Sequence, residues 1–544
     1  MNVINLFIND IKSSSFRKWL SEITEIDSRA LAAFRISAGF LIIADLFLRS
    51  RNFHLFYTNE GAVPISVAQE ITREGTFSLF FLSGSPEFTA FLFLLNGLIA
   101  LSLIIGYKSR FSILMSLIFV FSLDLRNPLV TSYADVIFRL MLFWAVFLPI
   151  GRRWSIDSVH SDNNGSDTVS GIAALMIQLQ LIAMFFVNGI GKLYSDKWVS
   201  GDAAPLILGK DSMTFLLGDF LTSYPEILTV GGFLWMSMVL TSPLLLVLKN
   251  RLKMFFILVM VFNELFLAFT VRIGAFPWVT MAGLLVFLPV GFWNRIESFL
   301  SSRKFESGLS KIAGFFPQIE KYEKLKQTIS QNSVFSIVVV AVLILLSVNL
   351  VFYNLGTILP AERNEIEIMD DFNEGMAIFG LEQPTWRIFL EKQNKTIDDY
   401  LVIVGTTSDN STIDLSYGRN FTMERPPDIT EGFPTYRYRF FYNKNNMLNQ
   451  SISSEYLEFL CSRNDEMEFI STYYVKERVT MATLDNEKDR SRKIRLIHAW
   501  SCREGISKLV NKERNSTGIP EDVLNQIILS KNLGREFFYR LKYN

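Results

Sequence analysis

FFVNGIGKLYSDKWVSGD, residues Phe185–Asp202, ends a long apolar run that begins near Gly171 and places a lysine, Lys192, at the end of that run. An apolar run of this length predicts a helix that spans a membrane. A lysine at such a helix end either reaches the lipid headgroups or is held among neighbouring helices. In the second case the loss of water disfavours the ammonium, and the free amine is a usable base. Lys192 is therefore a candidate base as well as a candidate structural cation.

The composition of the whole chain is typical of a polytopic membrane protein. Of its 544 residues, 50% are hydrophobic and only 19% are charged, which is a low charged fraction for a soluble protein. The 53 Lys and Arg residues balance the 53 Asp and Glu residues, so the net charge gives no reason to expect a nucleic-acid partner. Apolar runs crowd the first two thirds of the chain, and polar sequence dominates afterwards. This change predicts a membrane domain followed by an extramembrane domain.

About nine segments approach the ~20 residues that a helix needs to cross a bilayer. They lie near Ala30–Leu48, Phe88–Ile105, Phe111–Leu125, Val136–Ile150, Gly171–Ile190, Leu228–Leu248, Met254–Val271, Trp278–Phe292 and Val334–Tyr353. Three of them are short and would have to tilt or lean on their neighbours. We therefore predict a polytopic α-helical membrane domain over residues 29–355. An amphipathic segment at 1–28 precedes it, and an extracytoplasmic domain at 356–544 follows it.

The distribution of Lys and Arg predicts the orientation of the chain in the membrane. Four links between apolar segments are basic: Lys108–Arg110, Arg152–Arg153, Lys249–Lys253 and Arg295–Lys326. They alternate with links that carry less positive charge. Placing the basic links in the cytoplasm puts the N-terminus inside and the chain after Tyr353 outside. Lys192 then lies at the extracytoplasmic end of the fifth segment.

Polar side chains within the apolar runs are candidates for the lining of a cavity, because each costs free energy unless it is paired or solvated. Besides Lys192 and the nearby Trp198, the candidates are Arg35, Asp135, Arg139, Gln178, Asn263 and Glu264. Asp135 and Arg139 lie four residues apart on one helical face, where they can pair. The alternative for each candidate is a structural contact between helices. Ion or proton conduction would use similar residues, but no internal repeat of the kind common in secondary transporters is evident.

Beyond Ala361, short runs of β-branched and aromatic residues separated by turn residues predict a mostly β domain with some helix. The predicted strands lie at Tyr400–Gly405, Thr412–Tyr417, Tyr436–Tyr442 and Phe469–Val475, and the predicted helices at Ser454–Arg463 and Glu521–Leu541. Cys461 and Cys502 form a disulfide or remain thiols, depending on the compartment. The cysteines and the three scattered histidines show no metal-ligand spacing, so no metal site is expected. The segment Gly380–Phe389 is amphipathic and is expected at the membrane interface.

Four stretches together resemble a known family. They are LAAFRISAGFLIIADLFLRSRNFHLFYTNEGAVP (Leu31–Pro64), RNPLVTSYADVIFRLMLFWAVFLPIGRRWSID (Arg126–Asp157), NGIGKLYSDKWVSGDA (Asn188–Ala203) and GLEQPTWRIF (Gly380–Phe389). They resemble the HTTM-domain membrane proteins, relatives of the vitamin K-dependent gamma-glutamyl carboxylase. The third stretch is similar to the one that carries the base lysine of the carboxylase, and Lys192 falls on that lysine. The fourth is similar to a Gln-x-Trp-x-Met-Phe motif, with Ile388 where Met is usual.

The resemblance implies an integral-membrane lyase that acts on a lipid quinol and a peptide at the outer face. In such an enzyme a lysine base deprotonates a reduced quinone of the vitamin K type, which then reacts with O2. The strong base so formed removes a proton from the γ-carbon of a peptide glutamate, and CO2 adds to that carbon. The resemblance implies Lys192 as the catalytic residue, membrane lipid and a peptide as partners, and no metal.

The chain also departs from the carboxylase pattern. Carboxylases carry an Asn-His pair in the link before the fourth segment, whereas Val130–Asp135 has no histidine. His160 falls in a predicted cytoplasmic loop and does not replace it. Two interpretations therefore stand. One is a carboxylase-like membrane enzyme that uses Lys192, and the other is a non-enzymatic membrane protein with a lipid- or partner-binding cavity, in which Lys192 is structural.

Overall fold

The computed structural model describes most of the helical part and most of the C-terminal part of the chain. The described residues are 24–160, 167–300, 311–316, 333–358, 367–389, 397–422, 424–433, 435–442, 447, 449–484, 487–503 and 507–509. The predicted helix Glu521–Leu541 lies outside them, as does the predicted amphipathic segment apart from residues 24–28. Within them, the first part of the chain is mostly helical and the last part is built on an antiparallel sheet, as the sequence predicts.

A helix lies on each of the nine predicted apolar segments. The long helices are α1 (Ser28–Ser50), α2 (Pro86–Ile105), α3 (Ser109–Arg126), α4 (Tyr133–Val146), α5 (Ile172–Leu193), α6 (Pro225–Leu240), α7 (Asn250–Thr270), α8 (Phe276–Leu284), α9 (Val290–Leu300) and α10 (Ser333–Ile358). Short helices occupy Phe53–Tyr57, Ile65–Ile71, Ile156–Val159, Asp196–Ser200, Ala203–Leu208, Leu217–Thr222 and Leu244–Val247. Strand β1 (Ile26–Asp27) pairs with β2 (Thr168–Val169), so the start of α1 is tied to the start of α5.

Four of the described helices, α1, α2, α5 and α7, are long and apolar enough to cross a bilayer. The pair Phe276–Phe287 and Val290–Ser298, bent by 99°, brings the number to five if it counts as one span. The prediction of about nine spans is therefore not supported. Helices α4 and α6 have only 14 and 16 residues, and the 18 residues of α3 include three charges, Arg110, Asp124 and Arg126.

The apolar surface of these helices identifies an integral membrane protein. Large hydrophobic side chains are exposed along one side of α2 and of α7, including Phe91, Leu94, Phe255 and Phe262. Exposure of such a surface to lipid carries no free-energy penalty, whereas its exposure to water would promote aggregation. Helix α5 is the most enclosed of the four and packs on α4, α6 and α10. The side of the membrane on which each terminus lies stays a prediction from the charge distribution.

The C-terminal part is built on a six-stranded antiparallel sheet with the order β5-β4-β3-β6-β7-β8. Its strands are β3 (Ile397–Thr407), β4 (Thr412–Asp414), β5 (Arg419–Asn420), β6 (Met467–Arg478), β7 (Arg492–Ser501) and β8 (Ser507–Leu509), and the helices before and between them are α11 (Glu367–Met376), α12 (Tyr436–Phe441) and α13 (Gln450–Arg463). The predicted strands at Tyr400–Gly405 and Phe469–Val475 and the predicted helix at Ser454–Arg463 are confirmed. Cys461 and Cys502 form a disulfide that joins α13 to the end of β7.

The predicted strand at Tyr436–Tyr442 is wrong, because α12 occupies these residues. Arg437 and Phe441 lie four residues apart and are both buried, so a helix places them on one face. Phe441 packs on Phe56, with ring centroids 5.1 Å apart, while Arg437 forms ion pairs with carboxylates of the helical part. Contacts with the membrane helices therefore outweigh the β propensity of the aromatic residues.

We predict that the C-terminal sheet loses stability in weak acid because of His498. This histidine is buried in β7, with Nδ1 2.9 Å from Thr472 Oγ1. Burial lowers the pKa of His498 from 6.5 to about 4. The fold accommodates the neutral ring, so its stabilising contribution is complete above pH 6.5 and is lost as the pH falls toward 4.

Chemical unfolding of the sheet, followed by tryptophan fluorescence, should show a loss of about 3 kcal/mol across this pH range. The variant His498→Gln should lack most of this loss, whereas His54→Gln, at an exposed histidine, should retain it. An identical pH dependence in His498→Gln and in the native chain would contradict the assignment.

Candidate functional site around Lys192

Lys192 lies in the last turn of α5, and its side chain is completely buried. Gly189, one turn earlier, lets α6 approach closely, because a Cβ atom there would lie 3.0 Å from the backbone nitrogen of Leu240 and from a side-chain carbon of Val239. The close approach brings Trp235 of α6 to Lys192. The short helix Asp196–Ser200 after α5 brings Trp198 to the same point. The close helix packing at Gly189 and the short helix after α5 thus place two indole rings around one amine.

The Lys192 amine has two hydrogen-bond acceptors and two aromatic neighbours. Its Nζ donates to Asn188 Oδ1 and to the Ile388 carbonyl oxygen, both at 2.8 Å. The same atom lies 4.7 Å from the ring centroid of Trp198 and 4.4 Å from that of Trp235. We call Lys192, Asn188, Trp198 and Trp235, together with the Ile388 carbonyl, the lysine cage.

No carboxylate among the described residues pairs with Lys192. Glu264 Oε2 lies 2.8 Å from Thr280 Oγ1, and Asp135 pairs with arginines. A neutral amine has two N–H groups, which match the two acceptors, whereas an ammonium has three. Two indole faces stabilise an ammonium by roughly 2 kcal/mol each when desolvated, but burying an ammonium without a counter-ion costs several kcal/mol. The lysine cage is therefore suited to an amine that gains and loses a proton.

The lysine cage is closed by the segment Gly380–Phe389, which lies inside the helical part. Arg139 Nε donates to the Gly380 carbonyl at 2.6 Å, and Gln180 Nε2 donates to Gln383 Oε1 at 2.9 Å. At its other end, the Phe389 carbonyl accepts from Trp198 Nε1 at 3.0 Å. The expectation that Trp386 faces the membrane interface is wrong, because its side chain is 1% exposed. Its indole packs among protein groups that also hold the backbone of the segment.

A second cluster joins the helical part to the C-terminal part. We call it the charge network, and its members are Asp45, Arg49, Asp124, Asp135, Arg139, Glu382 and Arg437. Arg49 pairs with Asp45 at 2.6 Å and with Asp135 at 2.9 Å. Arg437 of α12 pairs with Asp45 and, at 3.0 Å, with Asp135. Each buried guanidinium therefore has carboxylate partners, as stability requires.

Asp135 and Arg139 do not pair with each other, although their spacing suggested it. Arg139 pairs instead with Asp124 at 2.9 Å and with Glu382 at 2.8 Å. Asp135 accepts from the backbone N–H and the hydroxyl of Ser132, both at 2.7 Å. Arg49 of α1 and Arg437 of α12 also pair with Asp135. Asp135 therefore pairs with residues distant in sequence and not with Arg139 of its own helix.

Arg35 and Gln178 have partners of their own. Arg35 donates to carbonyls at the end of α2, including Ile104 at 2.7 Å, where a cation also offsets the helix dipole, and to carbonyls in the link after α4, including Trp154 at 2.6 Å. Gln178 donates to the Ala174 carbonyl at 3.0 Å and lies about 21 Å from Lys192 along α5. Asn263 and Glu264 lie in α7. Of the seven residues predicted to accompany Lys192, Trp198 is the one whose contact with it is found in the described part of the chain.

The remaining members of the lysine cage were not predicted. Asn188 has a local signal, because it lies four residues before Lys192 on the same helical face. No local sequence pattern predicts Trp235 or the Ile388 carbonyl, because tertiary packing alone brings them to Lys192. Two cavities lie in the C-terminal part, one lined by loop, helix α13 and strand residues and the other mostly by sheet residues, and Lys192 lines neither of them.

Residues 23–292 match the family model of the HTTM domain. This range includes α1 to α8 and the Lys192, Trp198 and Trp235 side chains, whereas Ile388 and Arg437 lie beyond it. No curated protein and no solved structure is significantly similar to the chain. The fold and the match together define an integral membrane protein that contains an HTTM domain.

We predict that Arg437→Gln weakens the attachment of the C-terminal part to the helices. The change removes one partner of a buried ion pair, which typically costs about 3–5 kcal/mol. Limited proteolysis of the protein in membranes should then cleave the C-terminal part faster. Arg463→Gln, at an exposed position at the end of α13, should leave the cleavage rate unchanged.

A second substitution, Asp135→Asn, should restore part of the protection in the Arg437→Gln background, because coupled neighbours are not additive. Unchanged protection in Arg437→Gln alone would show that the charge network does not hold the two parts together.

Proposed function

We propose that this protein is an integral-membrane enzyme of the gamma-carboxylase-like type, a lyase in which Lys192 is the catalytic base. One observation carries the proposal: a fully buried amine at the end of α5 is held by two neutral acceptors and two indoles, and no described carboxylate pairs with it. Its place in a matched HTTM domain supports the same assignment.

The residues around Lys192 suit a reduced quinone as the lipid-soluble substrate. Trp198, Trp235 and Phe389 present aromatic surfaces to one another, with ring centroids 5.2 and 6.0 Å apart. Trp235 Nε1 is buried without a partner among the described residues, so it is a free donor for a quinol oxygen. When bound, the quinol together with O2 would supply the oxidation that drives the addition of CO2 to a peptide.

The role of this chain in that chemistry is to move one proton at Lys192 Nζ. The neutral amine takes the proton of a quinol hydroxyl, and the resulting ammonium keeps its bond to Asn188. One of its other N–H groups then faces the oxygen that gave the proton. The two indole faces stabilise the ammonium, while the burial of Lys192 favours the unprotonated amine between turnovers.

Access to Lys192 requires the end of the segment Gly380–Phe389 to move. The Ile388 and Phe389 carbonyls occupy the open side of the lysine cage. Phe389 has a φ of 56°, a left-handed conformation that costs a non-glycine residue roughly 1–2 kcal/mol. Relief of this strain offsets part of the cost of releasing the two hydrogen bonds.

The predicted orientation supports a peptide substrate on the extracytoplasmic side. The Cys461–Cys502 disulfide is typical of an oxidising compartment, which is where the positive-inside pattern places residues 356–544. The C-terminal sheet would then present the peptide close to the outer end of α5.

The second candidate is a non-enzymatic membrane protein that binds a partner. A cavity of about 840 Å³ beside the disulfide favours it. Its carboxylates are Asp409, Glu458, Asp465, Glu466 and Glu468. Such a lining suits a basic partner, and in this case Lys192 would contribute only packing.

We predict that Lys192→Ala abolishes quinol-dependent O2 uptake and CO2 fixation in membranes. The loss should be at least about 100-fold, the usual contribution of a positioned base. Lys197→Ala is the matched control, because Lys197 belongs to the same stretch but is exposed and pairs with Asp202. The control should retain native turnover.

Protease resistance should be measured in both variants, so that a folding defect is recognised. A native turnover in Lys192→Ala would rule out the base and leave the non-enzymatic candidate.

A further inference from the structure

Glu264 is a buried carboxyl group in the middle of α7 with no cationic partner among the described residues. Its Oε2 atom is 2.8 Å from Thr280 Oγ1, and its Oε1 atom has no hydrogen-bond partner in the described part of the chain. Asp124 and Asp135 are also buried in the helical part, but each pairs with arginine. Glu264 therefore differs from the carboxylates that stabilise the fold.

The main elements packed on α7 supply no cation to compensate an ionised Glu264. They are α8, Leu217–Thr222 and Leu244–Val247. Neither α8 nor Leu244–Val247 has an ionisable residue, and Leu217–Thr222 has only Asp219, which is exposed. On α7 itself, Arg251 and Lys253 lie about 16 Å or more toward the start of the helix. An ionised Glu264 would be an unpaired buried charge.

The hydrogen bonds of Thr280 show where a proton fits. Its Oγ1 atom lies 2.8 Å from Glu264 Oε2, 3.0 Å from the Phe276 carbonyl and 2.9 Å from the Pro277 carbonyl. A hydroxyl has one proton to donate, and a threonine within a helix commonly donates it to a carbonyl of the preceding turn. The contact with Glu264 is then satisfied only if the carboxyl group is the donor.

We propose that Glu264 is a proton-binding site within the membrane domain, a neutral carboxylic acid that donates to Thr280 and exchanges its proton with the surroundings. The site is separate from the lysine cage and does not depend on the function proposed for Lys192. Loss of the proton leaves an uncompensated charge between α7 and α8. The proton is therefore released when a cation or water reaches Oε1, which couples the protonation of Glu264 to the packing of these two helices.

Infrared difference spectroscopy of the full-length protein in lipid tests the proposal. The native-minus-Glu264→Gln spectrum at pH 7 should contain the carbonyl band of one protonated carboxylic acid, and the band should shift in D2O because the proton exchanges. Glu382→Gln is the matched control, because that carboxylate pairs with Arg139. It should remove the bands of an ionised carboxylate instead.

Thr280→Val should displace the Glu264 band, because it removes the acceptor, and this variant decides the question if Glu264→Gln does not fold. Ionised-carboxylate bands in the Glu264→Gln difference, or a band that Thr280→Val leaves unmoved, would overturn the proposal. A band that does not shift in D2O would contradict the claim that the Glu264 proton exchanges with the surroundings.

Discussion

Two buried basic side chains of the helical part, Arg139 and Lys192, both donate to backbone carbonyls of the segment Gly380–Phe389. Arg139 binds the Gly380 carbonyl at 2.6 Å, and Lys192 binds the Ile388 carbonyl at 2.8 Å. Unmet donors in a low-dielectric interior are costly, so the helices depend on a segment that follows them in the sequence. The helical part is therefore not complete until this segment has docked, and the lysine cage forms only then.

The charge network and the lysine cage bury basic side chains in opposite ways. Arg49 and Arg437 are surrounded by carboxylates, which fixes their charge and joins the two parts of the chain. Among the described residues, Lys192 contacts neutral acceptors and indoles and no carboxylate, which holds the side chain in place but leaves its charge free to change. The first arrangement explains attachment of the C-terminal part, and the second is what acid–base chemistry requires.

The sequence predicts features that depend on local pattern and fails where partners come from distant segments. The apolar runs correctly place a helix on each of the nine predicted segments. They do not predict whether each helix is long enough to cross a bilayer, because α4 has only 14 residues. The aromatic alternation of Tyr436–Tyr442 suits a strand, yet Arg437 must reach Asp45 and Asp135, and a helix allows it. Trp198 follows Lys192 closely in the chain and was predicted, whereas the acceptor at Ile388 is 196 residues away.

The protonation state of Lys192 is the property on which the enzymatic proposal rests. Solid-state 15N NMR of lysine-labelled protein in lipid measures it directly, with the Lys192 signal assigned by its absence in Lys192→Gln. A free-amine signal near neutral pH, converted to an ammonium signal when a quinol analogue is added, is the expected result. An ammonium signal that persists with and without the analogue would contradict the assignment of Lys192 as a base.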